Sequence, residues 1–88
     1  MKQKIIIESL AMDLKRVAIG YFRGSATMSE RFFEEALKRR NEIDSTNLKP
    51  YLVKLLNNIE NLKNEEIKKA ADDALLYSTI FQNAATQL

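Results

Sequence analysis

The stretch IKKAADDALLYSTIFQNAATQL, residues 67–88, decides the fold. Within it Ile67, Ala70, Ala71, Ala74, Tyr77, Phe81, Ala84 and Leu88 recur at three- and four-residue steps, the period of an α-helix. A helix at a protein surface keeps its opposite face polar. Here Leu76 and Ile80 lie one turn apart across the wheel from the main stripe, so Ala74 to Phe81 is apolar nearly all round. The alanines would let neighbouring backbones come close. These features predict a helix with neighbours on several sides, the central helix of the fold.

Three more helical periods precede it. From about residue 2 to 23, Ile6, Ile7, Leu10, Ala11, Leu14, Val17, Ala18, Tyr21 and Phe22 form a core face. Gly24 suits the left-handed residue that follows a helix end, with Arg23 favourably placed at the negative end of the dipole. Gly20 lies inside the pattern, where it costs up to ~1 kcal/mol relative to alanine. A second helix is expected over 28–42, with Met28, Phe32, Phe33, Ala36 and Leu37 inward. Thr27 and Glu30 have capping-box spacing and Ser29 is the rival cap.

Asp44-Ser45-Thr46-Asn47 reads as a turn, because short polar side chains bond nearby backbone. A third helix is expected over 48–62, with Pro50 harmless in its first turn. Its inner face is Leu48, Tyr51, Leu52, Leu55, Leu56, Ile59 and Leu62, and Lys54, Asn57, Asn58 and Asn61 face out. Asn64 can cap the fourth helix, over 65–87, with Glu65 and Glu66 in its first turn. Connections this short favour antiparallel neighbours. The expected architecture is an all-α, antiparallel four-helix bundle forming a single domain over residues 1–88, with long first and fourth helices.

Composition narrows the function. A chain of 88 residues buries roughly 60–65% of its extended surface, a narrow margin that self-association would widen. With neither cysteine nor histidine, the usual neutral-pH base, the strongest nucleophile and the best zinc ligands are missing. A bundle di-iron site needs Glu-x-x-His pairs, which this chain cannot supply. The acidic pairs Glu34-Glu35, Glu65-Glu66 and Asp72-Asp73 point about 100° apart on a helix and share no site unaided. The expectation is a protein that is not an enzyme and carries no catalytic residues, metal or cofactor. The apolar run Ile5-Ile6-Ile7 stops at Glu8, far short of a secretory core, and no run approaches the ~18 apolar residues of a membrane span. A cytoplasmic protein without membrane contact is expected.

Two binding readings follow. Ile5, Met12 and Ile19 are spaced by seven on the back of the first helix, as one helix presents itself to another. With Leu76 and Ile80 on the fourth helix they form the expected protein interface, used first for a homodimer and then by another protein. Exposed apolar patches on soluble proteins mark association sites. The alternative is a small nucleic-acid-binding regulator. Residues 1–43 hold nine Lys/Arg against six Asp/Glu, and Arg16, Arg23, Lys38, Arg39 and Arg40 could neutralise phosphates. Against it, Glu34, Glu35 and Glu42 flank the triplet at spacings that pair within a helix.

Overall fold

The computed structural model describes residues 3–88. Four helices follow one another: α1 (Gln3–Phe22), α2 (Ala26–Glu42), α3 (Pro50–Asn58) and α4 (Ile67–Ala85), with a 3-10 helix, Ile59–Asn64, leading from α3 towards α4. The all-α bundle with long first and fourth helices is the fold that forms. The expected start of the first helix at Lys2 lies outside the described residues. Among the described residues no helix is long and apolar enough to cross a membrane.

The central helix is α1, a correction to the reading of residues 67–88. α1 packs extensively along both α2 and α4, and its Ile7, Leu10, Ala11, Leu14, Val17 and Ala18 are all within 1% of full burial. α4 does come close through Ala70, Ala71, Ala74 and Ala85. Its all-round apolar character has another outcome: Leu75 and Leu76 remain 41% and 54% exposed. Periodicity identifies apolar residues without saying which of them the chain covers. At the two ends of the same stripe, Ile67 and Leu88 are also exposed.

Both flanking helices dock on α1 in the same way. Ser29 of α2 donates to the Val17 carbonyl at 3.1 Å, and Ser78 of α4 donates to the Ala11 carbonyl at 2.7 Å. Both serines are buried. A small side chain that spends its hydroxyl on a neighbouring carbonyl leaves no unpaired donor in the core. At the α2 contact the match is tighter still. A Cβ on Gly20 would lie 2.3 Å from Ser29 Oγ and 2.8 Å from the Ser29 backbone nitrogen.

The turn between α1 and α2 explains that approach. Gly24 has φ +71°, its N–H donates to the Tyr21 carbonyl at 3.1 Å, and the Ser25 N–H donates to the Gly20 carbonyl at 2.8 Å. This Schellman pair ends α1 and reverses the chain at once. Ser25 is then the N-cap of α2, its Oγ accepting from the Met28 N–H at 3.2 Å. The expected Thr27–Glu30 capping box does not form. The helix starts two residues earlier because the turn is so short, and Ser29, the rival cap, is drawn inside against α1.

α3 begins with Pro50 at its first position and buries Leu52 and Leu56. The expected single helix to residue 62 instead tightens into 3-10 winding at Ile59, burying Ile59 and Leu62. Asn64 is the last residue of that winding, two short of the N-cap Glu66, and α4 starts at Ile67 without a side-chain cap. Tyr51, expected inward, is exposed. At the far end, the Gln3 side-chain amide bonds both the N–H and the carbonyl of Asp44, tying the α2–α3 loop to the start of α1. Asp44 Oδ1 also accepts from the Thr46 N–H at 3.0 Å, the local turn expected there.

Candidate protein interface

α2 and α4 flank α1 on two sides and the core lies beneath it, which leaves its outer side open. On that side the heptad seam stands at different depths. Ile5 and Met12 are 49% and 42% exposed, and Ile19 is half-buried. Met12 sits where two shallow grooves meet. One, between α1 and α2, is lined by Ile5, Glu8, Ser9, Met12, Asp13, Arg16 and Arg39. The other, between α1 and α4, brings Met12 and Lys15 beside Leu75 and Thr79.

The α4 members of the expected interface are placed differently. Leu75, not named from the sequence, is the residue that lines the groove beside Met12. Leu76 is exposed one helical step further round, about 100° away. Ile80 is half-buried and packs against the core. The structure thus joins Ile5, Met12 and Leu75 around one ridge. The signal that could have found Leu75 is its wheel position, the edge of the core stripe rather than its back.

Beneath the α1–α2 groove lies a charged group that sequence reading passed over. The Asp13 side chain is 8% exposed, with Arg39 Nε at 3.7 Å and Arg16 Nη1 at 3.9 Å. These are charge contacts too long for hydrogen bonds, and Asp13 Oδ2 and Arg39 Nε have no hydrogen-bond partner. Arg16 also lies over the Phe32 ring at 5.3 Å, and Arg31 at 5.7 Å. Burial pushes the Asp13 carboxyl above its ordinary 3.8; Arg39 and then Arg16 pull it down, and Glu35 adds a small upward push. Glu8 is the other acid lining this groove.

The folded chain therefore holds the Asp13 proton more tightly than the unfolded chain. Between the unfolded and folded pKa values stability falls as pH rises, and above both the charge on Asp13 is a standing cost. Asp13→Asn removes that cost, while Arg39 keeps Glu42 at 3.7 Å and Arg16 keeps Phe32. The variant should melt above the parent at pH 7, and the two midpoints should converge as pH falls towards 4. A gap that does not change with pH would refute this account.

The remaining carboxylates serve the surface. Lys69 bridges Glu65 at 2.9 Å and Asp73 at 2.7 Å. Its hydrogen bond holds the Asp73 carboxyl below the usual range, and the two carboxylates push the lysine's own pKa up. Asp72 faces solvent, and Glu35 contacts Lys38.

Four of the five basic residues considered for nucleic acid are engaged by carboxylates. Arg16 and Arg39 face Asp13, Arg39 also faces Glu42, Lys38 faces Glu35 at 3.6 Å, and Arg40 faces Glu60 at 3.7 Å. Arg23 is exposed beyond the end of α1. Of the asparagines expected to face out, Asn57 is exposed, while Asn58 and Asn61 are tied up within the chain. Asn61 donates to Asn58 Oδ1 at 2.8 Å, and Asn58 donates to the Tyr77 hydroxyl at 2.6 Å. Comparison with known proteins gives no relative: no family model, curated protein or solved structure matches the chain.

Proposed function

We propose that this protein is a non-enzymatic helical interaction module of the cytoplasm that associates with itself through the outer side of α1. The supporting observation is the position of Ile5, Met12 and Leu75. They are large apolar residues, 41–49% exposed, gathered on the one open side of the most enclosed helix. An apolar ridge rimmed by charged groups is the anatomy of an association surface. A domain this small also gains stability by mass action when a folded partner binds it.

The mass in solution, measured by light scattering on a sizing column across a concentration series, tests this. A dimer is expected at high concentration. Met12→Glu with Leu75→Glu should give a monomer with unchanged helical circular dichroism. Two buried charges facing their own copies would raise the dissociation constant by at least about a hundredfold. A parent chain that stays monomeric throughout would sink the proposal. A double variant that stays dimeric would move the interface elsewhere.

A further inference from the structure

We infer that the partner on this face is a second copy lying antiparallel across α1, with the two-fold axis passing beside Met12. This rests on the self-association proposed above and adds its direction and register. The seam is self-complementary about that residue. Ile5 and Ile19 stand seven residues to either side of Met12; Glu8 stands four before it and Lys15 three after. A two-fold axis at Met12 brings position 12 minus n opposite position 12 plus n of the second copy. Met12 then meets itself, each Ile5 meets an Ile19, and each Glu8 comes within one residue, about 1.5 Å along the axis, of a Lys15.

The charges select this direction over the opposite one. In a parallel pair Glu8 would lie beside Glu8 and Lys15 beside Lys15, two like-charge contacts on an apolar face. In the antiparallel pair both contacts are of opposite sign. The geometry also agrees across the width of the helix. Residues seven apart drift only about 20° on an α-helix, so the Cα–Cβ bonds of Glu8 and Lys15 leave the helix on the same side of the Met12 line, with the Glu8 side chain reaching the α1–α2 groove and Lys15 the α1–α4 groove. An axis lying in the contact plane keeps each side facing its own counterpart. Among the described residues neither Glu8 nor Lys15 has an ion-pair partner within the chain, whereas Asp13, Arg16 and Arg39 on the same face do. Leu75, sharing a groove with Met12 and Lys15, extends the contact on that side.

Charge reversal probes the pairing. Glu8→Lys or Lys15→Glu alone should weaken the dimer about tenfold, and the two together should return it to within about threefold of the parent. A double variant as weak as the single ones would overturn the register. Disulfide trapping gives the direction, since the chain has no cysteine of its own. Along an antiparallel pair the two copies of position 5 lie about 21 Å apart, beyond the ~7 Å that a disulfide spans. In one glutathione buffer, Met12→Cys and the double variant Ile5→Cys/Ile19→Cys should form covalent dimers. Ile5→Cys and Ile19→Cys alone should form at least about tenfold less.

Trapping by Ile5→Cys alone would overturn the antiparallel direction in favour of a parallel one. A dimer by mass in which neither Met12→Cys nor the double variant is trapped would overturn the inference and leave self-association standing. A chain that is monomeric by mass would end both.

Discussion

Gly20→Ala should destabilise the protein, although alanine is the better helix former by about 1 kcal/mol. The new methyl would lie 2.3 Å from Ser29 Oγ, 2.8 Å from its backbone nitrogen and 3.1 Å from its Cα. The hydroxyl could rotate away, giving up its bond to the Val17 carbonyl. The nitrogen and Cα belong to the α2 backbone and can move only with the helix. Overpacking of this kind costs typically 1–3 kcal/mol and occasionally more. The net expectation is a loss of about 2 kcal/mol, or a melting midpoint lower by about 8–16 °C for a domain of this size. Adding Ser29→Ala should restore little, because the backbone contacts remain. A Gly20→Ala variant that melts at or above the parent would show that α1 and α2 separate more easily than their packing indicates.

Phe81→Ala should cost still more. Phe81 is 1% exposed and is the largest fully buried side chain, set where α4 meets the common core. Removing a buried phenylalanine costs about 3–5 kcal/mol through lost transfer energy and the cavity left behind. Stabilities of about 0.05–0.15 kcal/mol per residue put the whole chain near 4–13 kcal/mol. The variant should therefore melt about 12–40 °C lower and sit close to unfolding at physiological temperature. Phe22→Ala is the internal control. Its ring is 59% exposed, and its loss should stay within about 0.5 kcal/mol. Melts at one protein concentration compare the two, since a self-associating chain has a concentration-dependent midpoint. Equal losses would mean that burial does not rank these two sites.

Four helices and most of their inner faces were legible because apolar spacing reports directly on which residues can share a side. Leu10, Leu14, Val17, Phe33, Leu56, Ile59 and Phe81 all hold inward positions by spacing alone, and all are buried. What spacing cannot report is the geometry that arises between segments. Gly20 looked like a local defect in a helix; its reason is a backbone nine positions away. Thr27 and Glu30 satisfied a capping pattern, but Gly24 reversed the chain early enough to hand the cap to Ser25. Asp13 sits at the flank of the α1 stripe, and only the arrival of α2 encloses it with Arg39. The seam Ile5, Met12 and Ile19 was visible as a line. Its neighbour Leu75 stands at one edge of the α4 core stripe, and the wheel alone does not say which edge rests beside Met12.

The change of winding within the third rod has a consequence for length. The nine residues of α3 rise about 1.5 Å each and the six of the 3-10 helix about 2.0 Å each, a span of about 25 Å. The nineteen residues of α4 span about 28 Å. Wound as α-helix throughout, the third rod would reach only about 22 Å. Tighter winding therefore lets fifteen residues nearly match a neighbour of nineteen. It also aligns Ile59 and Leu62, because residues three apart eclipse in a 3-10 helix, and both are fully buried. The segment acts as a vernier, trading turns for reach so that a short sequence gains about 3 Å of length.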